Sequence, residues 1–280
     1  MTGLRHHGCL DLGGCPIEGH FGLVLDKLAT RFKGDNGTDL DKDEILRRLM
    51  GFATVPMGPG KEPELRPKRQ RRIGQAEEAL LAKQHARLDA LVQGHGRSRR
   101  YETLGPLAIG LGNSSPLENG ITIHPTYGVP FIPGSAIKGM VGAWAEDWEG
   151  YDEAALVRLL GHAPGERDAR RIGGVTFHDA LPLPPTRVVV DVMTPHAGPY
   201  YGDAPLPPAD WHSPNPIPFI AVPKGQHFGV RYHVNGRADL GRATLMDLVE
   251  EIDRLLLEAF ATIGIGAKTA AGYGRLAPPA

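Results

Sequence analysis

Four glycines and two cations stand within twelve residues near the end of the 280-residue chain, in Gly264-Ile265-Gly266-Ala267-Lys268-Thr269-Ala270-Ala271-Gly272-Tyr273-Gly274-Arg275. The run follows directly on the best amphipathic pattern of the sequence, from Thr244 to Thr262. A helix is therefore expected to stop at Gly264, with a tight turn after it. Glycine permits positive φ and lets another group approach the backbone closely. Exposed amides beside Lys268 and Arg275 would suit an anion, most simply a phosphodiester. The same residues equally suit a helix stop, a turn and a last strand, and at this level both readings stand. Two nucleotide fingerprints fail. A Walker A loop needs Gly-Lys-Thr, whereas Lys268 follows Ala267; a dinucleotide loop needs a third glycine where Thr269 stands. ATP and NAD are disfavoured, and no cofactor is expected.

Charge confines any polyanion site to a patch. The formal net charge is −1, but residues 61–100 carry 11 Lys and Arg against 5 Asp and Glu, and residues 101–280 carry 13 against 19. A wholly basic nucleic-acid binder is excluded; a local basic surface is not. The 37 Gly and 25 Pro point to turns and insertions instead of a helical bundle. No apolar run is long enough to span a bilayer and no signal-peptide pattern opens the chain, so a cytoplasmic protein is expected. Cys9 and Cys15 fit a reducing compartment. With His6, His7 and His20 they could ligate a metal, but their spacing is not that of a usual zinc knuckle, and no metal is expected.

Residues 1–100 read as a mainly helical, partly basic extension packed on a core formed by 101–280. Phe21, Val24, Leu25 and Leu28 share one helical face; Ile45, Leu46, Leu49 and Met50 share another, after Asp43 as cap. A Pro-, Gly- and Arg-rich loop brings Lys68, Arg69, Arg71 and Arg72 almost together, for a solvated face or for phosphate contact. A helical pattern with Ala79, Leu80, Ala86, Leu88, Leu91 and Val92 leads to Arg97, Arg99 and Arg100.

From Tyr101 the texture becomes strand-like. Leu104, Leu107, Ile109 and Leu111 suggest a buried strand, and Ile121 and Ile123 with Val129 and Phe131 a hairpin around His124. Next, Pro133-Gly134-Ser135-Ala136-Ile137-Lys138-Gly139 opens a helix with Ser135 as N-cap; Lys138 in its first turn makes a second anion site. Gly139 and Gly142 hint at close backbone packing. Strand patterns follow at 174–178, 188–193, 219–222 and 228–234, the middle two separated by a Pro-rich insertion, 194–218. The essential order from 101 is strand, helix, strand, strand, helix, strand, which is the ferredoxin-like α+β order. RNA-recognition modules share it, but their aromatic motif is missing.

A ferredoxin-like unit ending in a helix and a Gly-x-Gly…Gly-Tyr-Gly-Arg loop resembles the RAMP superfamily of CRISPR-associated proteins. The Pro133–Gly139 helix start looks like its second hallmark. Asp191-Val192-Met193-Thr194-Pro195-His196, Tyr200-Tyr201 and Pro207-Pro208-Ala209-Asp210-Trp211 are similar to the branch that supplies the sixth Cmr subunit of type III-B effector complexes. The resemblance covers residues 101–276 and, in the first hundred residues, only the Gly19–Lys27 region. It implies a non-catalytic subunit near the 3′ end of a guide CRISPR RNA, capping a row of backbone subunits and touching a second capping RAMP, with complementary target RNA bound by the assembly. On this chain it places Ser135, Lys138, Gly264, Gly266, Lys268, Gly272, Tyr273, Gly274 and Arg275 against RNA, and Arg69, Arg71 and Arg72 are further phosphate candidates.

Two other function classes stand beside this one. A metal-free ribonuclease needs a base, an acid and a cation, for which His124 and His196, with His178, Asp179 and Asp191, are candidates. A pure assembly protein would use Tyr200, Tyr201 and Trp211 as interface anchors. Asp191 is also suited to holding the Met193–His196 turn through backbone amides.

Overall fold

The computed structural model describes residues 21, 25, 42–50, 52–55, 64–67, 70–115, 117–161, 172–195, 200, 207, 216–236 and 245–280. Its helices are α1 (Lys42–Met50), α2 (Glu78–Val92), α3 (Gly134–Asp147), α4 (Glu153–Leu160) and α5 (Leu245–Thr262). Its strands are β1 (Phe52–Val55), β2 (Glu64–Pro67), β3 (Gln70–Ile73), β4 (Gly96–Thr103), β5 (Val175–Phe177), β6 (Leu181–Pro182), β7 (Thr186–Met193), β8 (Ile217–Ala221), β9 (His227–Val234) and β10 (Leu276–Ala277). The fold is mixed α+β, with antiparallel pairing between the named strands.

Alternation in β9 builds the main sheet. Phe228, Val230, Tyr232 and Val234 are buried on one face, in strand order β10-β4-β9-β5 with β6 also on β9. Onto that face pack Ile137, Met140, Val141 and Trp144 of α3 and Leu248, Ile252, Leu255, Leu256 and Phe260 of α5. Full burial of each such side chain contributes about 1.5–3 kcal/mol over exposure. The helical stripe read from the sequence for α5 is thus the stripe that is buried.

The first strand lies earlier than the apolar pattern implies. Leu104 is exposed, and Leu107 and Ala108 form only isolated bridges, to Val222 and Ala267. The strand is the arginine-bearing β4 instead. Its register sets Arg97 opposite Tyr232 and Arg99 opposite Val230, on the α5 face. Both guanidinium groups reach the Asp253 carboxylate, at 3.5 and 2.8 Å. A carboxylate on α5 makes charged residues acceptable in a strand, which no local pattern announces.

The opposite face of the sheet is covered by α2. Leu81 packs against Tyr127, Val129 and Leu181. Buried Arg231 donates through Nε to Asp89 at 2.6 Å, and the Ser98 hydroxyl donates to the same carboxylate oxygen at 2.6 Å. His85 Nε2 lies 3.0 Å from the Pro182 carbonyl. The buried stripe of α2 is Leu81, His85 and Val92 with Leu88, whereas Leu80 and Leu91 are exposed. The sequence reading rotated this helix because His85, matched to a carbonyl, belongs to its inner face.

A second sheet has the order β3-β7-β8. Through Ile73, Val188 and Ile220 one face meets α1 and Phe21 and Leu25. Through Phe219, Ala221, Val189 and Met193 the other meets Ala108, Ala267 and Tyr273, so the glycine run lies against it.

Candidate nucleic-acid interface

The glycine run is a backbone knot between the two sheets. The Gly264 amide caps α5 by donating to the Ala259 carbonyl at 2.9 Å. Beyond it Ile265 N–H donates to Gly274 O (2.9 Å), Ala267 N–H to Ala108 O (2.7 Å), Gly274 N–H to Pro106 O (2.9 Å) and Leu104 N–H to Arg275 O (2.8 Å). A Cβ on Gly264 would lie 2.9 Å from Gly274 O, one on Gly266 2.4 Å from Ala108 O, and one on Gly274 1.9 Å from Ile265 O. Those three glycines are required by the protein's own backbone. Gly272, at φ +86°, differs: nothing lies within 4 Å of its Cβ position, and the residue is exposed. The amides of Thr269 and Ala270, at the start of a single 3-10 turn (Thr269–Ala271), meet no backbone acceptor among the described residues.

The loop's side chains are partly committed. Lys268 takes φ +61° and sets its Nζ 5.9 Å from the Phe219 ring centroid and 5.7 Å from that of Tyr273, in cation–π range of both. The Tyr273 hydroxyl donates to Asp191 at 2.5 Å. Burial, and then that carboxylate, push the phenol up to about 12. The other Asp191 oxygen accepts from the Val192 amide at 2.8 Å. Asp191 therefore ties the loop to β7, a role beyond the two expected of it, a ribonuclease carboxylate or an anchor of the Met193–His196 turn. Arg275 is half-buried, and its Nη1 has no hydrogen-bond partner among the described residues.

The other glycine-marked site is the start of α3. The helix begins at Gly134, after Pro133, and Ser135 sits exposed in the first turn without capping it. Capping comes from 45 residues away: Asp179 Oδ1 accepts from the Gly134 amide at 2.8 Å. The helix start thus already holds an anion, which corrects its reading as a ready anion site. Gly134 is needed because a Cβ would lie 2.4 Å from Phe177 O of β5. A Cβ on Gly142 would lie 3.0 Å from the Leu160 side chain, whereas Gly139 has open space and is exposed, so only one of the two helical glycines serves close packing. Lys138 is exposed beside Gly139. By register β4 and β5 run the same way, antiparallel to β9. β5 ends at Phe177, opposite Tyr232 and so level with Arg97 near the start of β4, and the start of α3 abuts it there, whereas the loop after α5 adjoins Thr103 and Leu104 at the other end of β4.

The remaining expected residues do not join them into one cluster. On β3, an Arg71 guanidinium nitrogen donates to the Leu49 carbonyl, and Arg72 pairs with Glu78 at 2.5 Å. Tyr200 is exposed. Arg69, Tyr201, Trp211, His196, Cys9 and Cys15 lie outside the described residues. The His124 ring accepts from the Thr126 amide at 3.2 Å and packs 4.4 Å from Tyr127 and 5.3 Å from Phe131, which builds its turn. His178 Nε2 and His233 Nδ1 stand 2.9 Å apart, and burial lowers both pKa values. Among the described residues no three His, Cys, Asp or Glu are placed to hold a metal ion, and no helix is long and apolar enough to cross a membrane.

An antiparallel sheet carrying two helices on one face, closed by a glycine loop, defines the class. The family model of the RAMP superfamily matches residues 100–277, and the chain belongs to that superfamily. Within it, the chain is 31% identical over 245 residues to the CRISPR system Cmr subunit Cmr6 of Pyrococcus furiosus, covering 67% of this chain and 69% of that one. It is 28% identical over 158 residues to Cmr6 of Saccharolobus solfataricus, covering 56% of this chain and 47% of the relative. Among solved structures, a chain from the type III-B Cmr-beta complex bound to cognate target RNA matches with a TM-score of 0.57 over 85% of this chain and 71% of its own, at 20% identity, which is a likeness of fold.

Proposed function

We propose that this chain is a non-catalytic subunit of a cytoplasmic type III-B CRISPR effector complex, and that it holds guide and target RNA by the phosphate backbone. Its domain is ferredoxin-like over 101–280, with an N-terminal extension and the insertion 194–218. It caps the row of backbone subunits near the guide's 3′ end and touches backbone and capping RAMP subunits. The similarity to Cmr6 over two thirds of both chains supports the assembly.

One observation supports the RNA role above the others. The loop after α5 combines the amides of Thr269 and Ala270, which meet no backbone acceptor among the described residues, with the open space at Gly272 and the cation Lys268, and a second exposed cation, Lys138, stands in the first turn of α3. Amides and cations grip phosphates without reading bases, which is what a guide of any sequence requires. Ser135, Gly264, Gly266, Tyr273, Gly274 and Arg275 act here by shaping the surface. The ribonuclease reading loses ground at His124, whose ring is committed to its own turn. A tagged copy expressed in its native cell tests the proposal. Co-purification of guide RNAs with other RAMP subunits is expected; partners without RNA would leave a purely assembling subunit.

A further inference from the structure

The main sheet ends in an open edge. β10 pairs with β4 only at Leu276↔Thr103 and Ala277↔Glu102. Pro279 stands two residues beyond Ala277 on that line, opposite Arg100, and proline has no N–H to offer the Arg100 carbonyl. The hydrogen bonds Leu104 N–H to Arg275 O and Val234 N–H to His95 O fix the alternation along β4: even-numbered residues face β10 and odd-numbered ones face β9. The N–H and C=O groups of Ser98 and Arg100 therefore point outward, and both residues are exposed.

Beside this edge lies a notch of about 260 Å³ lined by Arg99, Arg100, Tyr101, Asp253, Leu257 and Pro278. Its α5 side offers the half-exposed Leu257 and the Tyr101 ring. On the other side of the strand the Arg100 side chain has no ion-pair partner among the described residues, in contrast to Arg97 and Arg99 on Asp253.

We propose that this edge is a docking site for an extended peptide segment of a partner protein, added as a further strand on β4. The partner carries carboxylates on alternate residues, facing Arg100, with apolar side chains between them facing Leu257 and Tyr101. One feature selects a peptide over RNA. The edge presents donors and acceptors in alternation, which a strand matches and a phosphodiester, an acceptor, does not. This inference is independent of the RNA role.

The probe is fluorescein-labelled Glu-Val-Glu-Val-Glu-Val, titrated against the purified full chain by anisotropy. A second peptide, N-methylated on alternate amides, loses the edge hydrogen bonds while the protein stays unaltered. Saturable binding is expected, weakened at least about tenfold by N-methylation and about fivefold by Arg100→Glu, with circular dichroism unchanged. Hydrogen exchange at Ser98 and Arg100 should slow on binding. Equal binding of both peptides overturns the proposal, as does no binding of the parent peptide near 1 mM. Competition by single-stranded RNA that depends on Arg100 would give the edge to RNA and overturn it as well.

Discussion

The glycine loop and the start of α3 look alike in the sequence and differ in the molecule. Each joins glycine to a nearby lysine. In the loop, three glycines fold the backbone on itself, while Gly272 borders open space and the amides of Thr269 and Ala270 meet no backbone acceptor among the described residues. At the helix start the first amide is taken by the Asp179 carboxylate, and only Lys138 and Gly139 remain open. Residue type sets the local geometry of an anion site. Whether the site stays vacant is decided elsewhere in the chain.

The strongest break of this comparison lies within the loop. Gly274→Ala places a Cβ 1.9 Å from a carbonyl at φ +69° and should cost about 3 kcal/mol in denaturant unfolding, whereas Gly272→Ala, in open space, should cost only about 1 kcal/mol for its positive φ. Similar losses at both positions would remove the distinction. At the helix start Asp179→Ala should cost about 1 kcal/mol of stability through the lost cap. The same change removes the carboxylate that occupies the first amide of α3, so RNA retention by the assembled complex should rise about threefold. Unchanged retention would show that the helix start takes no part in RNA binding.

The smallest effect is alkaline. Tyr273 ionises near pH 10 when unfolded, and in the fold burial and Asp191 push it up to about 12. Its contribution is complete below pH 10 and is lost as pH rises from there to about 12, because the unfolded state releases its proton first. Tyr273→Phe should flatten this part of the stability–pH curve. Tyr101, also pushed to about 12 by burial, and Tyr232, raised by burial and Asp253, keep the rest. An unchanged curve would mean that the Tyr273–Asp191 bond adds nothing.

Legibility followed periodicity. The apolar stripe of α5 and the alternation in β9 were readable because each repeats over several turns or pairs with one face buried. The glycine positions were readable, but not whether backbone or ligand demanded them. β4 was missed because its fitness as a strand depends on Asp253, about 150 positions away. The α2 face was misread because His85 is buried on a carbonyl. Asp179 entered only as a candidate acid, since nothing local says that it caps Gly134. What escaped the sequence in each case is a polar group whose partner is distant in the chain.

The central claim is that Lys138 and Lys268 grip RNA phosphates. Filter retention of guide RNA by the complex assembled with Lys138→Ala/Lys268→Ala, measured across a salt series, tests it most directly. Weakening of about tenfold at low salt is predicted, with the slope of log K against log salt reduced by about one to two. Unchanged retention together with an unchanged slope would contradict the claim.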